Sequence, residues 1–203
     1  MFSDLLRDDV FRLETARLWL RWPRMADAPS LVRYAGEKQV AEMTASVPHP
    51  YTQPEAEKFI FACRAGNAAG NQLALALTRK GKPAEAIGII GIHETRPGHA
   101  FIGYWLGLPF HGQGLMSEAV AAMIDLAFRA GDVESVDADA LVENAASRRI
   151  LEKSGFMPAG IGPVNLPVRG GVFQRASYHI ERSDWQAKNM ALTHTPGEVG
   201  TAA

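Results

Sequence analysis

The sequence predicts an α/β fold built on one mixed, mostly antiparallel sheet, and three observations carry that prediction. Apolar runs at 73–78, 86–92 and 100–106 follow one another across short connections, Lys80-Gly81-Lys82-Pro83 and Thr95-Arg96-Pro97-Gly98, which is the pattern of an antiparallel meander. The third run leads into a glycine loop, a helical stretch at 116–129 and a strand pattern at 134–142. The runs at 100–106 and 135–142 are therefore expected side by side and parallel, joined by a right-handed crossover. At 203 residues the chain suits one ordinary core.

Taken in order, residues 17–22 alternate, with Leu18, Leu20 and Trp22 on one face and Arg17 and Arg21 on the other, so they read as a half-buried strand closed by Pro23. From Met25 to Tyr34 a short helix is expected, with Asp27 as its N-cap. The prolines of Val47-Pro48-His49-Pro50-Tyr51-Thr52 rule out a helix there. Thr52 is placed to cap a helix over 54–64 that buries Phe59, Ile60 and Cys63. Residues 66–71 read as a loop. The middle run of the meander, Ile87 to Ile92, is apolar without alternation and is expected to be covered on both faces. Over 116–129, Met116, Ala119, Val120, Met123, Leu126 and Ala127 recur at helical spacing. After the alternating strand comes a helix from Asn144, its N-cap, to Gly155, its stop. The last strand is expected over 172–180. The reading is one domain over 1–186 and a tail over 187–203, either mobile or an arm that packs on a second copy to make a homodimer.

Composition narrows the function classes. With 47% apolar and 21% charged residues the chain is globular rather than disordered, and a net charge of -1 gives no electrostatic reason to expect nucleic acid or an anionic membrane as partner. One cysteine, Cys63, excludes an intrachain disulfide and a cysteine-rich zinc site, and no metal is expected. No segment reaches the roughly 18 apolar residues of a membrane span, so a cytoplasmic location without membrane attachment is expected.

The chemistry concentrates in Gly107-Leu108-Pro109-Phe110-His111-Gly112-Gln113-Gly114-Leu115-Met116-Ser117-Glu118-Ala119. A glycine loop that opens a helix presents bare N–H groups beside the positive end of the helix dipole, which suits a phosphate. A plain strand-to-helix turn would leave the same trace.

Four pieces taken together resemble the GCN5-related N-acetyltransferases, in the RimJ/RimL-like branch of ribosomal-protein alanine acetyltransferases. They are Glu14-Thr15-Ala16-Arg17-Leu18-Trp19-Leu20-Arg21, Pro48-His49-Pro50-Tyr51-Thr52, Gly103-Tyr104-Trp105-Leu106 with the glycine loop, and Asn144-x-x-Ser147 with Glu152-Lys153-Ser154-Gly155-Phe156. The resemblance implies a sheet splayed between its two central parallel strands, with acetyl-CoA as co-substrate in the opening and an amine, on a protein N-terminus or a small molecule, as acceptor. It implies that the backbone of Trp105, Leu106 and Gly107 pairs with the pantetheine arm. It further implies that His111, Gly112, Gln113, Gly114, Leu115, Met116 and Ser117 hold the pyrophosphate, that Asn144 contacts pantetheine, and that Ser147 sits by the thioester sulfur.

Three positions depart from the pattern. Met116 stands where the family has a small residue and must point into the core; Leu151 stands at the general-acid tyrosine; Phe101 stands where the branch commonly has a glutamate. Acetyl transfer needs a neutral amine, a polarised thioester carbonyl and help for the departing thiolate. Ser147 is the expected donor to that thiolate. Glu94, His93 and Glu143 are the candidates for removing the amine's proton, with Glu94 placed in the catalytic set beside Ser147. The lost carboxylate and Leu151 keep a second reading open, a non-catalytic acyl-CoA-binding module. His49, His111, Tyr104 and Trp105 each have a purely structural reading, and Arg148 and Glu152 are spaced as an i,i+4 pair. An acidic acceptor cleft drawing on Glu42, Glu55 and Glu57 would be built from the loops at 42–52 and 160–172.

Overall fold

The apolar runs form the meander that their short connections require. The computed structural model describes residues 9–193 and pairs β3 (Gln72–Arg79), β4 (Lys82–Arg96) and β5 (His99–Leu106) antiparallel in sequence. On the β3 side the sheet extends through β2 (Leu18–Arg21) to β1 (Arg12–Glu14). On the other side β5 pairs in parallel with β6 (Ser135–Leu141), after which come β8 (Gly171–Glu181) and, at the edge, β7 (Met157–Leu166). The result is one eight-stranded sheet of order β1-β2-β3-β4-β5-β6-β8-β7.

Helices α1 (Ala28–Ala35) and α3 (Gln53–Ala69) bury Leu31, Ala56 and Ile60 against Ala76, Ala86 and Ile89 on one face, with the short α2 (Lys38–Ala41) between them. The other face carries the larger core, where Val120, Met123 and Phe128 of α4 (Leu115–Ala130) and Leu151 of α5 (Ala145–Ser154) meet Leu20, Leu75, Ile90, Ile102 and Ala138. Residues Ile87 to Ile92 feed both cores, which explains their lack of alternation.

Several sequence expectations are corrected. Arg21 is not on a solvent face: it is 7% exposed and donates from both Nη atoms to Asp27, at 2.8 and 2.7 Å. Asp27 in turn accepts from Arg24 N and makes no cap bond to α1, which starts one residue later behind a 3-10 turn, Met25–Asp27. Residues 66–69 continue α3 instead of looping. Asn67 is buried there and pins β3, donating to the Ala74 carbonyl and accepting from Ala74 N. The Thr52 cap is present as a reciprocal box with Glu55.

Strand β7 takes up much of the loop expected over 160–172, forming a hairpin with β8 at the edge of the sheet. The domain limit expected at 186 falls inside α6 (Arg182–Thr193), which docks through Trp185 on Phe128 and through Arg182 on the carbonyls of Phe128, Gly131 and Val133 at the end of α4. Residues 194–203 of the expected tail lie outside the described residues. No helix among the described residues is long and apolar enough to cross a membrane.

Candidate active site

The parallel ladder between β5 and β6 runs from His99↔Ser135 to Ile102↔Ala138 and stops, although β5 continues to Leu106 and β6 to Leu141. Gly103 to Leu106 therefore pair with β4 alone. Backbone polar groups facing the gap need other partners, which makes the opening a site for an extended chain bearing amides of its own.

At one end of the gap the glycine loop enters α4. Gly112 and Gly114 both have φ +72°, a left-handed conformation that side chains rarely adopt. A Cβ on Gly112 would have no heavy atom within 4 Å, and one on Gly114 would meet only Arg17 Nη2 at 3.5 Å. The loop is thus open above its backbone, at the head of a 16-residue helix. Leu115 and Met116 are buried, at 4% and 3% exposure, so Met116 points into the core as its apolar character demands. Backbone N–H groups in an open loop at a helix N-terminus suit a phosphate, helped by the helix dipole. The His111 ring is turned inward: its Nε2–H donates to the Leu106 carbonyl at 2.7 Å. The His111 ring and the Leu106 carbonyl, both expected to meet the cofactor, are thus engaged with each other. The Trp105 side chain packs against both cores.

Across the gap, α5 presents Asn144 and Ser147. Asn144 Oδ1 accepts from Ser147 N at 3.0 Å, the cap the sequence indicates. Ser147 Oγ lies 3.0 Å from the Tyr104 hydroxyl, which reaches across from β5. Burial pushes the Tyr104 phenol up to about 12. Leu151, one turn on, is fully buried.

Of the base candidates, Glu94 is not brought to the site. It stands opposite Ala100, four residues from Tyr104, or about 13 Å along the strand. Glu143 is bound by Arg169 at 3.2 Å. His93 is opposite Phe101, with the rings 5.7 Å apart, and partial burial lowers its pKa. On its other side Phe101 is opposite Asp137 of β6. The position lacking a carboxylate is thus flanked by an imidazole and an aspartate. Around it the sheet face is uncovered: Gly103 is exposed with no heavy atom within 4 Å of where a Cβ would stand. Asp139 pairs there with Arg175 at 2.5 Å, and His179 sits between Asp137 and Glu181 at 2.6 and 2.7 Å.

Residues 17–157, more than half of the chain, match the acetyltransferase (GNAT) domain family. The chain belongs to this family. Among curated relatives it is 39% identical over 71 residues to "Probable N-acetyltransferase YjcK" of Bacillus subtilis, covering 35% of this chain and 39% of that one. It is 32% identical over 81 residues to the ribosomal-protein-serine acetyltransferase of Escherichia coli, covering 39% and 45%. The matched stretches therefore span less than half of these two relatives. Among solved structures, RimL, a ribosomal L7/L12 α-N-protein acetyltransferase in complex with coenzyme A, superposes with TM-score 0.72 at 22% identity, covering 84% of this chain and 98% of its own.

Within this GNAT domain the Thr15-Ala16-Arg17 segment has a role that sequence reasoning missed. Arg17 Nη1 donates to the Gln113 carbonyl at 2.7 Å and Nε to Glu118 at 2.6 Å, while Arg17 N and the Thr15 hydroxyl also donate to Glu118. Burial would raise the Glu118 pKa, but the donors from Thr15 and Arg17 outweigh it and hold the carboxyl below its ordinary value. The turn before β2 thus clamps the glycine loop and the first turn of α4. Its only sequence trace is an arginine and a glutamate 101 positions apart. The other site expectations resolve as packing: His49 donates from Nδ1–H to the Gly36 carbonyl, and Arg148 and Glu152 are bridged by the Tyr178 hydroxyl rather than paired directly.

Proposed function

We propose that the protein is an acetyl-CoA-dependent N-acetyltransferase in which a neutral primary amine attacks the thioester directly. The observation that carries this reading is the interrupted β5–β6 ladder, with left-handed glycines at one end of the gap and the Ser147 hydroxyl at the other. Pantetheine would lie in the gap and complete the unpaired edge of β5, with the pyrophosphate on the Gly112–Ser117 backbone and Asn144 beside the arm. A backbone N–H near Leu106 would polarise the carbonyl. The C–N bond forms, the C–S bond breaks, and Ser147 donates a hydrogen bond to the departing thiolate. His93 is the preferred acceptor of the amine's proton, directly or through water, since its lowered pKa keeps it neutral near pH 7. Glu94 has no part in this scheme.

The acceptor approaches over the uncovered face at Gly103, lined by Phe101, Asp137 and Asp139. Carboxylates there suit a cationic partner, and a protein N-terminus is favoured over a small amine because the face is open and the relatives include ribosomal-protein acetyltransferases. A cytoplasmic setting follows from such a substrate. Self-association to a homodimer is a further expectation, to be checked by light scattering. The test is thiol release from acetyl-CoA with peptides bearing free α-amines and with small amines. Turnover on peptides supports the reading. CoA binding with no turnover on any acceptor would replace it with a non-catalytic acyl-CoA-binding module.

A further inference from the structure

The residue at the usual tyrosine position, Leu151, is fully buried and cannot donate a proton, yet a phenol reaches the same serine from the opposite strand. Tyr104 projects from β5 toward α5, and its hydroxyl lies 3.0 Å from Ser147 Oγ and 3.3 Å from the Ser147 carbonyl oxygen. Asn144 holds the same residue by its backbone N–H, so Ser147 is fixed from two sides.

We infer that Tyr104 is a positioning residue that sets the direction of the Ser147 hydroxyl and supports it as a hydrogen-bond donor to the departing thiolate. The inference rests on Ser147 being that donor. Tyr104 has one proton and two acceptors within reach. When it donates to the Ser147 carbonyl, the Ser147 hydroxyl gives its own proton to the Tyr104 oxygen and has none for the cleft. When it donates to Ser147 Oγ, the Ser147 proton is free to turn to sulfur. Negative charge growing on the sulfur favours the second arrangement, in which two O–H groups point in sequence toward the thiolate.

Neither hydroxyl loses its proton. A thiolate whose thiol has the ordinary pKa of about 8.5 is too weak a base to take a proton from a phenol held at about 12. As the C–N bond forms and the C–S bond breaks, the electron pair leaves on sulfur, the amine's proton goes to the base, and the thiolate is protonated afterwards by water. Tyr104 and Ser147 lower the barrier by hydrogen bonding alone.

The experiment compares Tyr104→Phe, Ser147→Ala and the double variant, reading kcat, KM for acetyl-CoA, CoA affinity and Tm. Tyr104→Phe keeps the ring in the core and is expected to lower kcat about tenfold, the equivalent of one hydrogen bond made in the transition state, with CoA affinity and Tm nearly unchanged. In the Ser147→Ala background the same change is expected to alter kcat less than about twofold, because the group it positions is gone. An unaltered kcat in Tyr104→Phe, additive losses in the double variant, or loss of CoA binding together with kcat would each overturn the inference. Full activity in Ser147→Ala would instead overturn the assignment of the donor itself, which separates the two failures.

Discussion

Two halves of the same sheet treat charge in opposite ways. On β2–β4 both faces are covered, and the pair there, Arg21 with Asp27, has side chains 8% and 1% exposed. On β6 and β8 one face is covered and the other bears Arg175–Asp139 and His179 with Asp137 and Glu181, whose side chains are 23–50% exposed. A buried pair is costly to break because the survivor is left charged and dry. An exposed pair contributes little to stability and can exchange its partner for a substrate. The covered half holds the shape, and the open half is the one proposed to meet an acceptor, with the glycine loop at the boundary.

The largest expected effect tests the covered half. Asp27→Ala should destabilise the fold by about 3–5 kcal/mol, measured by denaturant unfolding. Gly114→Asp should weaken CoA binding by about 100-fold or more in calorimetry while the protein stays folded, since it adds strain at a left-handed position and a charge against the pyrophosphate. Retained affinity would remove the loop from the site. Glu118→Gln should cost on the order of 1–3 kcal/mol of stability through its lost charge-assisted hydrogen bonds and loosen CoA several-fold. Because the Glu118 carboxyl is held low, its contribution is present above its ordinary pKa near 4.5 and fades as pH falls through the depressed folded value.

On the open half, His93→Gln should remove the acid limb of the kcat/KM profile, which in the native enzyme falls as pH drops below the lowered pKa of that imidazole. The smallest effect concerns His179. Burial opposes its charge, but Asp137 and Glu181 prevail and raise its pKa. Its contribution to stability is full below about 6.5 and is lost as pH rises through the raised folded value. His179→Gln should therefore flatten a slight fall in Tm on the alkaline side of neutrality.

The glycine loop, α4 and the start of α5 are readable from sequence because backbone geometry leaves marks: glycine at φ +72°, the apolar period of α4, the Asn144 cap. What escaped is what depends on long-range side-chain meetings. Arg21 alternates as a solvent-facing residue and is buried only because Asp27 comes to it. Arg17 and Glu118 carry no local signal of their contact. Asn67 looks like a loop asparagine until β3 supplies a partner on both sides of its amide. Strand β7 contains Pro158, Gly160, Gly162 and Pro163, a loop composition by any local rule. It pairs only with β8, and an edge strand with a bulge between Pro158 and Gly160 tolerates residues that a central strand would not. Tyr104 has a purely structural reading in the sequence. Its ring is packed against the core, but its hydroxyl reaches Ser147.

The chain's one cysteine, Cys63, faces inward from α3 at 5% exposure, and burial pushes its thiol up to about 12. As long as the fold is intact, a thiol-reactive dye added to a reaction mixture meets no competing protein thiolate, so every equivalent of colour counts one molecule of CoA set free. The same burial keeps the product from being trapped as a mixed disulfide with Cys63 in the folded protein, and turnover should survive alkylating reagents that would silence a cysteine-dependent transferase.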